Sequence, residues 1–148
     1  MNSVFETEIT IRPDDIDLNN HVHNAKYLDF VQAARYEQMK NDYKMPMEDF
    51  HKLGYNWVAS STFIEWKRAL LLDEKIIVKA QLDSIDGTQC KVNFWIVKQA
   101  NNKIASEGNI IYTMISMKTG RPVRIPEDVI EKGQGDKARS DSGQRGSQ

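Results

Sequence analysis

The order of helix-like and strand-like segments is the strongest constraint on what this chain can fold into. Residues 5–12 alternate polar and apolar side chains and are rich in β-branched residues, which predicts a strand. Residues 24–42 then carry apolar side chains at helical spacing, with Asn24 placed to cap the helix. Four more strand-like segments follow, at residues 58–66, 75–82, 90–97 and 104–117. This order predicts an α+β fold with one long helix and one five-stranded sheet.

Short connections between the later strands indicate antiparallel pairing. Asp86-Gly87 and Asn101-Asn102 are turn sequences, and Gly108 predicts a bend in the last strand. We therefore expect the four later strands to follow one another as an antiparallel meander. A short second helix is expected near residues 45–54, ended by Gly54 and with His51 on its surface.

One helix can cover only one face of such a sheet. The apolar side of the predicted helix is wide enough for a central, covered position, and it consists of Tyr27, Leu28, Phe30, Val31, Ala34 and Met39. The other face, or an exposed edge, needs a different cover, since long unpaired edges promote aggregation. The sequence therefore predicts dimerisation through sheet edges.

Length and charge exclude several classes of protein. The chain has 148 residues, which fits a single domain, and its formal net charge is -1. Such a balance argues against a main role in binding nucleic acid or an anionic membrane surface. No apolar run approaches the ~20 residues that a membrane span needs. No secretory signal is visible, and the single Cys90 is expected to be a buried residue, so a reducing, cytoplasmic location is predicted.

The chain is predicted to consist of a folded domain and a polar tail. Residues 133–148 contain Gly, Ser, Gln and charged residues with a single apolar side chain, Ala138. Such a segment cannot bury enough apolar surface to offset the entropy lost on ordering. We therefore expect the domain to span residues 1–132 and residues 133–148 to be disordered.

Residues 12–27, between the first strand and the helix, concentrate the polar chemistry of the chain. The first turn of a helix offers backbone N–H groups for an oxyanion, and residues near Val22, His23 and Asn24 are expected to supply them. A loop carboxylate beside them can act as general base or nucleophile. Composition alone favours a plain capping loop. Asp14 and Asp15 are expected to be solvated, and their charge would raise the pKa of Asp17.

The same segment resembles a family motif. Its form is D-x-N-x-H-V-x-N-x-x-Y, and it resembles the motif of hotdog-fold thioesterases of the acyl-carrier-protein and bacterial acyl-CoA branches. It is also similar to the 4-hydroxybenzoyl-CoA thioesterase pattern, in which an Asp precedes a helical Tyr by ten residues, as Asp17 precedes Tyr27. Residues 63–70 with 73–76, and residues 119–126, are similar to two weaker family motifs. The resemblance covers roughly residues 5–130.

The resemblance implies a long helix wrapped by a five-stranded antiparallel sheet, in a homodimer or homotetramer with sites between subunits. It implies hydrolysis of an acyl-CoA or acyl-carrier-protein thioester without a cofactor, with Asp17, Asn19 and His21 as catalytic residues. The carrier-protein branch has a second acidic residue, and here Ala69 occupies its position. Glu65 is a possible substitute. The departure favours acyl-CoA as substrate and a single carboxylate.

Substrate-binding residues follow from the same comparison and from the chemistry of CoA. The helix N-terminus (Val22, His23, Asn24) and Tyr27 are expected to contact the thioester. Cations at the pocket mouth would bind the CoA phosphates, and the candidates are Lys67, Arg68, Arg121 and Arg124. An apolar acyl pocket would draw on Tyr27, Phe30, Val31, Trp57 and Phe63.

A metal site is not expected in this chain, and two functions other than thioester hydrolysis fit the same segment. His21 and His23 with Asp17 could suggest a metal site, but no third His lies near in sequence, and no metal is expected. An enoyl-thioester hydratase is one alternative, although Asn20 stands where its motif has Pro and His21 falls one residue early. A non-catalytic acyl-thioester-binding subunit on the same fold is the other.

Overall fold

The computed structural model describes residues 2–134, which form one antiparallel sheet, one long helix, two short helices and a 3₁₀ turn at Pro13–Asp15. The strands are β1 (Val4–Thr10), β2 (Tyr55–Trp66), β3 (Lys75–Asp86), β4 (Gln89–Lys98) and β5 (Ile104–Ser116). The helices are α1 (Lys26–Asn41), α2 (Met47–Lys52) and α3 (Glu127–Gly133). The predicted α+β class and the five-stranded antiparallel sheet are confirmed.

The order of strands in the sheet corrects the predicted meander. The order is β1-β3-β4-β5-β2, so β3, β4 and β5 form a meander while β2 pairs with β5. Residues 67–74 carry the chain from β2 back to β3 across three strand spacings. Those spacings need about 14 Å, and eight extended residues reach about 26 Å. A connection of this length can therefore cross the sheet. The prediction that β2 and β3 are neighbours, which was based on their short connection, is wrong.

The core lies between α1 and one face of the sheet. Alternate residues of β3, β4 and β5 are buried there, including Val78, Phe94 and Ile110. From α1 the buried residues are Tyr27, Phe30, Val31, Ala34 and Gln38. The amide nitrogen of Gln38 donates to the hydroxyl of Thr7 at 3.1 Å. The buried amide of Gln38 therefore links α1 to β1. The spacing of apolar residues in the sequence could not predict this polar contact.

The C-terminal end of α1 agrees with the prediction, but its N-cap does not. The helix ends at Asn41, as expected. Its N-cap is Ala25 with no side-chain cap, and not Asn24, whose carbonyl accepts the backbone N–H of Tyr27 at 3.4 Å. The short helix α2 followed by Gly54 at φ +86° is confirmed, as are exposed His51 and buried Cys90.

Helix α3 extends one residue into the segment expected to be the tail. Gly133, expected to begin the tail, is buried as the last residue of α3. A Cβ there would lie 3.3 Å from the side chain of Leu82, so the absence of a side chain allows this packing. The rest of the predicted disordered tail, from residue 135, lies outside the described residues. Within residues 2–134 no helix is long and apolar enough to cross a membrane.

The strand β2 forms an exposed edge of the sheet. It pairs with β5 alone, and most of its residues are exposed, among them Val58, Phe63 and Trp66. Gly108 lies opposite Ile64 in this pairing, and a Cβ at position 108 would collide with the backbone carbonyl of Phe63. The pairing of β5 with both neighbours continues without a register shift at Gly108, so the glycine allows close approach of β2.

Candidate active site

The loop between β1 and α1 folds back on itself as a tight turn. Ile16 and Val22 form an antiparallel bridge, and within it the N–H of Asp17 donates to the carbonyl of His21 at 2.8 Å. Asn20 reaches φ +61°, a left-handed conformation that Asn tolerates better than most residues. The local sequence thus closes a turn with Asp17 and His21 at its base.

The Asp17 carboxylate is held by this turn. Its Oδ1 accepts the backbone N–H of Asn19 at 2.8 Å and that of His21 at 3.2 Å. These donors stabilise the charged form, so the Asn19 N–H in particular lowers the pKa of Asp17, while partial burial opposes the shift. The expectation that the charges of Asp14 and Asp15 raise the pKa of Asp17 is therefore wrong. No hydrogen bond to Oδ2 is present among residues 2–134, which leaves that oxygen available.

The two preceding carboxylates have different surroundings. Asp14 is exposed and pairs with Arg12 at 3.3 Å, as expected of a turn residue. Asp15 is buried, contrary to expectation, and accepts the backbone N–H of Arg12 at 2.9 Å. Its carbonyl also accepts the N–H of His23 at 3.0 Å. Asp15 therefore fixes the loop instead of adding solvated charge to it.

The connection between β2 and β3 packs against the turn and closes a cavity. Val22 N–H donates to the carbonyl of Leu70 at 2.9 Å, and His21 forms a bridge with Leu71. Between these segments is a cavity of about 230 Å³. Its walls are His21, Val22, Asn24 and Tyr27 on one side and residues 66–69 on the other.

An aromatic pair and two cations line the cavity. Tyr27 is buried, and its ring packs edge-to-face on Trp66 with centroids 6.4 Å apart. Burial raises the pKa of the Tyr27 phenol, which therefore keeps its proton at neutral pH. Lys67 pairs with Glu107 at 3.3 Å, and Nη1 of Arg68 donates to the carbonyl of Ile104 at 2.6 Å. Both cations are anchored at the rim and remain exposed.

The cavity unites six of the ten residues predicted to form the site. They are His21, Val22, Asn24, Tyr27, Lys67 and Arg68. Asp17 lies beside it, joined to His21 through the backbone. The side chains of Asn19, His23 and Glu65 are exposed outside it, and Asn19 contributes its backbone N–H to Asp17.

The expected oxyanion donors are partly occupied. The N–H groups of Val22 and His23 already donate to the carbonyls of Leu70 and Asp15. In the described part of the chain, the N–H groups of Asn24 and Ala25 have no acceptor. Of the three expected donors only Asn24 is therefore free, together with Ala25, which lies one residue beyond the expected range.

Two lining residues were missed, and most acyl-pocket candidates lie elsewhere. Trp66 and Ala69 line the cavity but were not predicted to do so. The position of Trp66 directly before the two cations Lys67 and Arg68 could have indicated its place in the site. Phe30 and Val31 belong to the core, Phe63 is exposed on β2, and Trp57 borders a different cavity. Arg121 and Arg124 are exposed in the segment after β5 and do not line the cavity.

Comparison with known proteins identifies the family. The model of the thioesterase-like superfamily matches residues 11–133, which include the turn, the helix and all of the later strands. The chain belongs to the thioesterase-like superfamily. The recognition made from the sequence motif is thereby confirmed.

Relatives and solved structures agree with this membership. Among curated proteins, the chain is 23% identical over 128 residues to the long-chain acyl-CoA thioesterase FadM of Escherichia coli K12, covering 86% of this chain and 96% of that protein. It is 24% identical to the acyl-acyl carrier protein thioesterase ATL3 of Arabidopsis thaliana, covering 89% and 68%. The structure of a DHNA-CoA thioesterase from Staphylococcus aureus superposes with a TM-score of 0.84 at 19% identity, covering 95% of each chain. The fold is the hotdog fold of these thioesterases.

Proposed function

We propose that this protein hydrolyses acyl-CoA thioesters to a free acid and CoA. The observation that carries the proposal is the cavity at the N-terminus of α1, where the Asp17–His21 turn meets a cationic rim. Membership of the thioesterase-like superfamily and relatives named as acyl-CoA thioesterases support the same reaction.

Asp17 is the proposed general base or nucleophile. Its Oδ2 is free of hydrogen bonds within the described residues, while Oδ1 is fixed by two backbone donors. A carboxylate oriented in this way can take a proton from water as the water attacks the thioester carbonyl, or attack that carbonyl itself. His21 lines the cavity next to Asp17 and is proposed to orient the attacking water. Asn19 contributes through its backbone N–H.

The free amides before α1 are the proposed oxyanion hole. The N–H groups of Asn24 and Ala25 lack acceptors in the described part of the chain, and they lie at the positive end of the helix macrodipole. Asn24 also lines the cavity. Donors held ready for the developing negative charge lower the barrier to attack on a carbonyl.

Lys67 and Arg68 are the proposed contacts of the CoA phosphates. Both lie at the rim of the cavity and both are held by contacts to β5, through Glu107 and the carbonyl of Ile104. Ala69, where the carrier-protein branch has an acidic residue, lines the same cavity, and exposed Glu65 does not. The proposal therefore favours acyl-CoA over acyl-carrier protein, with one catalytic carboxylate.

A panel of short, long and aromatic acyl-CoA substrates, followed with a thiol-trapping dye, tests the activity. We expect the wild type to release CoA and Asp17→Asn to reduce kcat by about 10²- to 10⁴-fold, since the amide cannot act as base or nucleophile. Asp14→Asn is the matched control, because it removes an exposed carboxylate from the same loop and should keep wild-type activity.

Different outcomes separate the alternatives. Full activity in Asp17→Asn would refute the proposed role of Asp17 while leaving the reaction intact. Loss of enoyl absorbance without release of thiol would identify a hydratase. Tight binding of acyl-CoA with no turnover on any substrate would identify a binding subunit.

A further inference from the structure

A second cavity, of about 270 Å³, lies under the C-terminal half of α1. Its lining is mostly apolar and combines helix, strand and α3 residues; the ones used below are Gln32, Arg35, Tyr36, Trp57, Cys90 and Tyr112. It shares no lining residue with the cavity beside the Asp17 turn. Arg35 is nine residues beyond the first residue of α1, which places it about 14 Å along the helix axis.

Arg35 brings a cation into this apolar space without an anion to balance it. The Arg35 side chain is half-buried, its guanidinium interacts with the Tyr112 phenol, and its Nε and Nη1 atoms are buried without a hydrogen-bond partner. No Asp or Glu among residues 2–134 forms an ion pair with it. The guanidinium lies over the ring of Tyr43, 5.5 Å from its centre, which holds the side chain in place but does not neutralise it.

The nearest acidic groups do not supply the missing charge. Burial raises the pKa of the Cys90 thiol to about 11, and it also raises the pKa of the Tyr112 phenol. Nearby Arg35 opposes both shifts only in part. Thiol and phenol therefore stay protonated at neutral pH. Tyr112 uses its proton to donate to Oε1 of Gln32 at 2.8 Å.

Such a cavity matches one kind of ligand. Two buried guanidinium nitrogens without an acceptor are unfavourable, and the planar donors of an arginine fit the two oxygens of a carboxylate. The surrounding apolar wall fits an aliphatic chain. Gln32 and Tyr36, one helical turn apart, are both exposed at the cavity and provide an entrance from solvent.

We propose that this cavity is a separate binding site for a free fatty acid, with Arg35 paired to the carboxylate and the alkyl chain in the apolar interior. The two cavities of one chain share no lining residue, so a thioester held at the first does not extend into the second cavity of the same chain, and the proposed ligand is the free acid. The inference goes beyond the proposed hydrolysis and does not depend on it.

Titration of the full chain with sodium decanoate and with decanol tests the site. Binding is followed by calorimetry and by tryptophan fluorescence, since Trp57 lines the cavity. We expect wild-type protein to bind decanoate at least 10-fold more tightly than decanol. Arg35→Met should weaken decanoate binding at least 10-fold and leave decanol binding within 2-fold, because only the acid uses the charge.

The control is Lys40→Met, which removes an exposed cation from the same helix and should bind both ligands like the wild type. Equal affinity of the wild type for acid and alcohol, or no binding of either, would overturn the proposal. So would unchanged decanoate binding in Arg35→Met. If Arg35→Met does not fold, the wild-type comparison of the two ligands and Arg35→Lys, expected to bind decanoate more weakly, decide the matter.

The outcome is separable from that of the proposed hydrolysis. Decanoate binding should be the same in Asp17→Asn as in the wild type, since Asp17 does not line this cavity. Binding of decanoate without any thioesterase activity would refute the hydrolysis alone. Activity without decanoate binding would refute the second site alone.

Discussion

Asp17 shows how the backbone of a short turn can set the charge state of a side chain. Its pKa is lowered from 3.8, first by the Asn19 N–H, and the carboxylate is therefore ionised throughout the neutral range. The same sign applies to stability: the small contribution of this exposed group is present above the unfolded-state pKa and lost as pH falls through the folded-state pKa.

A pH profile of kcat/KM checks this reading. We expect no loss of activity from Asp17 between pH 8 and about pH 5, because the active form is the carboxylate and its pKa lies below the ordinary value. Circular dichroism at each pH serves as a control for unfolding. An acid-side pKa near 6 that disappears in Asp17→Asn would contradict the lowered pKa.

The sequence predicted which residues lie together at the start of α1 better than it predicted their surroundings. The motif placed Asp17, His21, Asn24 and Tyr27 correctly around the start of α1, because their spacing is local. The burial of Asp15 and the occupied amides before the helix depend on contacts to other parts of the loop and to residue 70. Such contacts between segments leave no pattern in a single sequence.

At the scale of single elements, Gly108 controls how β2 attaches to the sheet. We expect Gly108→Ala to lower the free energy of unfolding by about 3 kcal/mol, since the new Cβ would collide with the Phe63 carbonyl and neither backbone can easily move. Urea denaturation measures the change. Asn109→Ala, at the next position of the same strand, should cost less than about 1 kcal/mol. An unchanged unfolding midpoint in Gly108→Ala would mean that β2 adjusts freely.

Strand positions were predictable, but the partner of β2 was not. Alternation and turn residues located all five strands to within a few residues, because both signals are local. Pairing of β2 with β5 depends on a crossover that a connection of eight residues permits but does not require. The predicted meander consequently failed at this one strand.

At the scale of the whole molecule, the exposed β2 edge is the proposed interface between two copies of the chain. We expect light scattering to give at least twice the mass of 17.0 kDa, because pairing would cover the apolar side chains of Val58, Phe63 and Trp66. Phe63→Lys should reduce the protein to monomers and lower its activity. Leu53→Lys, an equally drastic change at an exposed residue outside β2, is the control. A monomeric wild type would refute the interface.

The position of β2 also has a consequence for synthesis of the chain. This strand is made early, yet its partner β5 is completed about 50 residues later. At 5–20 residues per second, translation takes about 3–10 s to cover that interval. During this time twelve residues rich in exposed apolar and β-branched side chains have no hydrogen-bonding partner in the nascent chain. The pairing of β2 with β5 therefore cannot form until β5 has been synthesised, and the apolar side chains of β2 are open to aggregation until then.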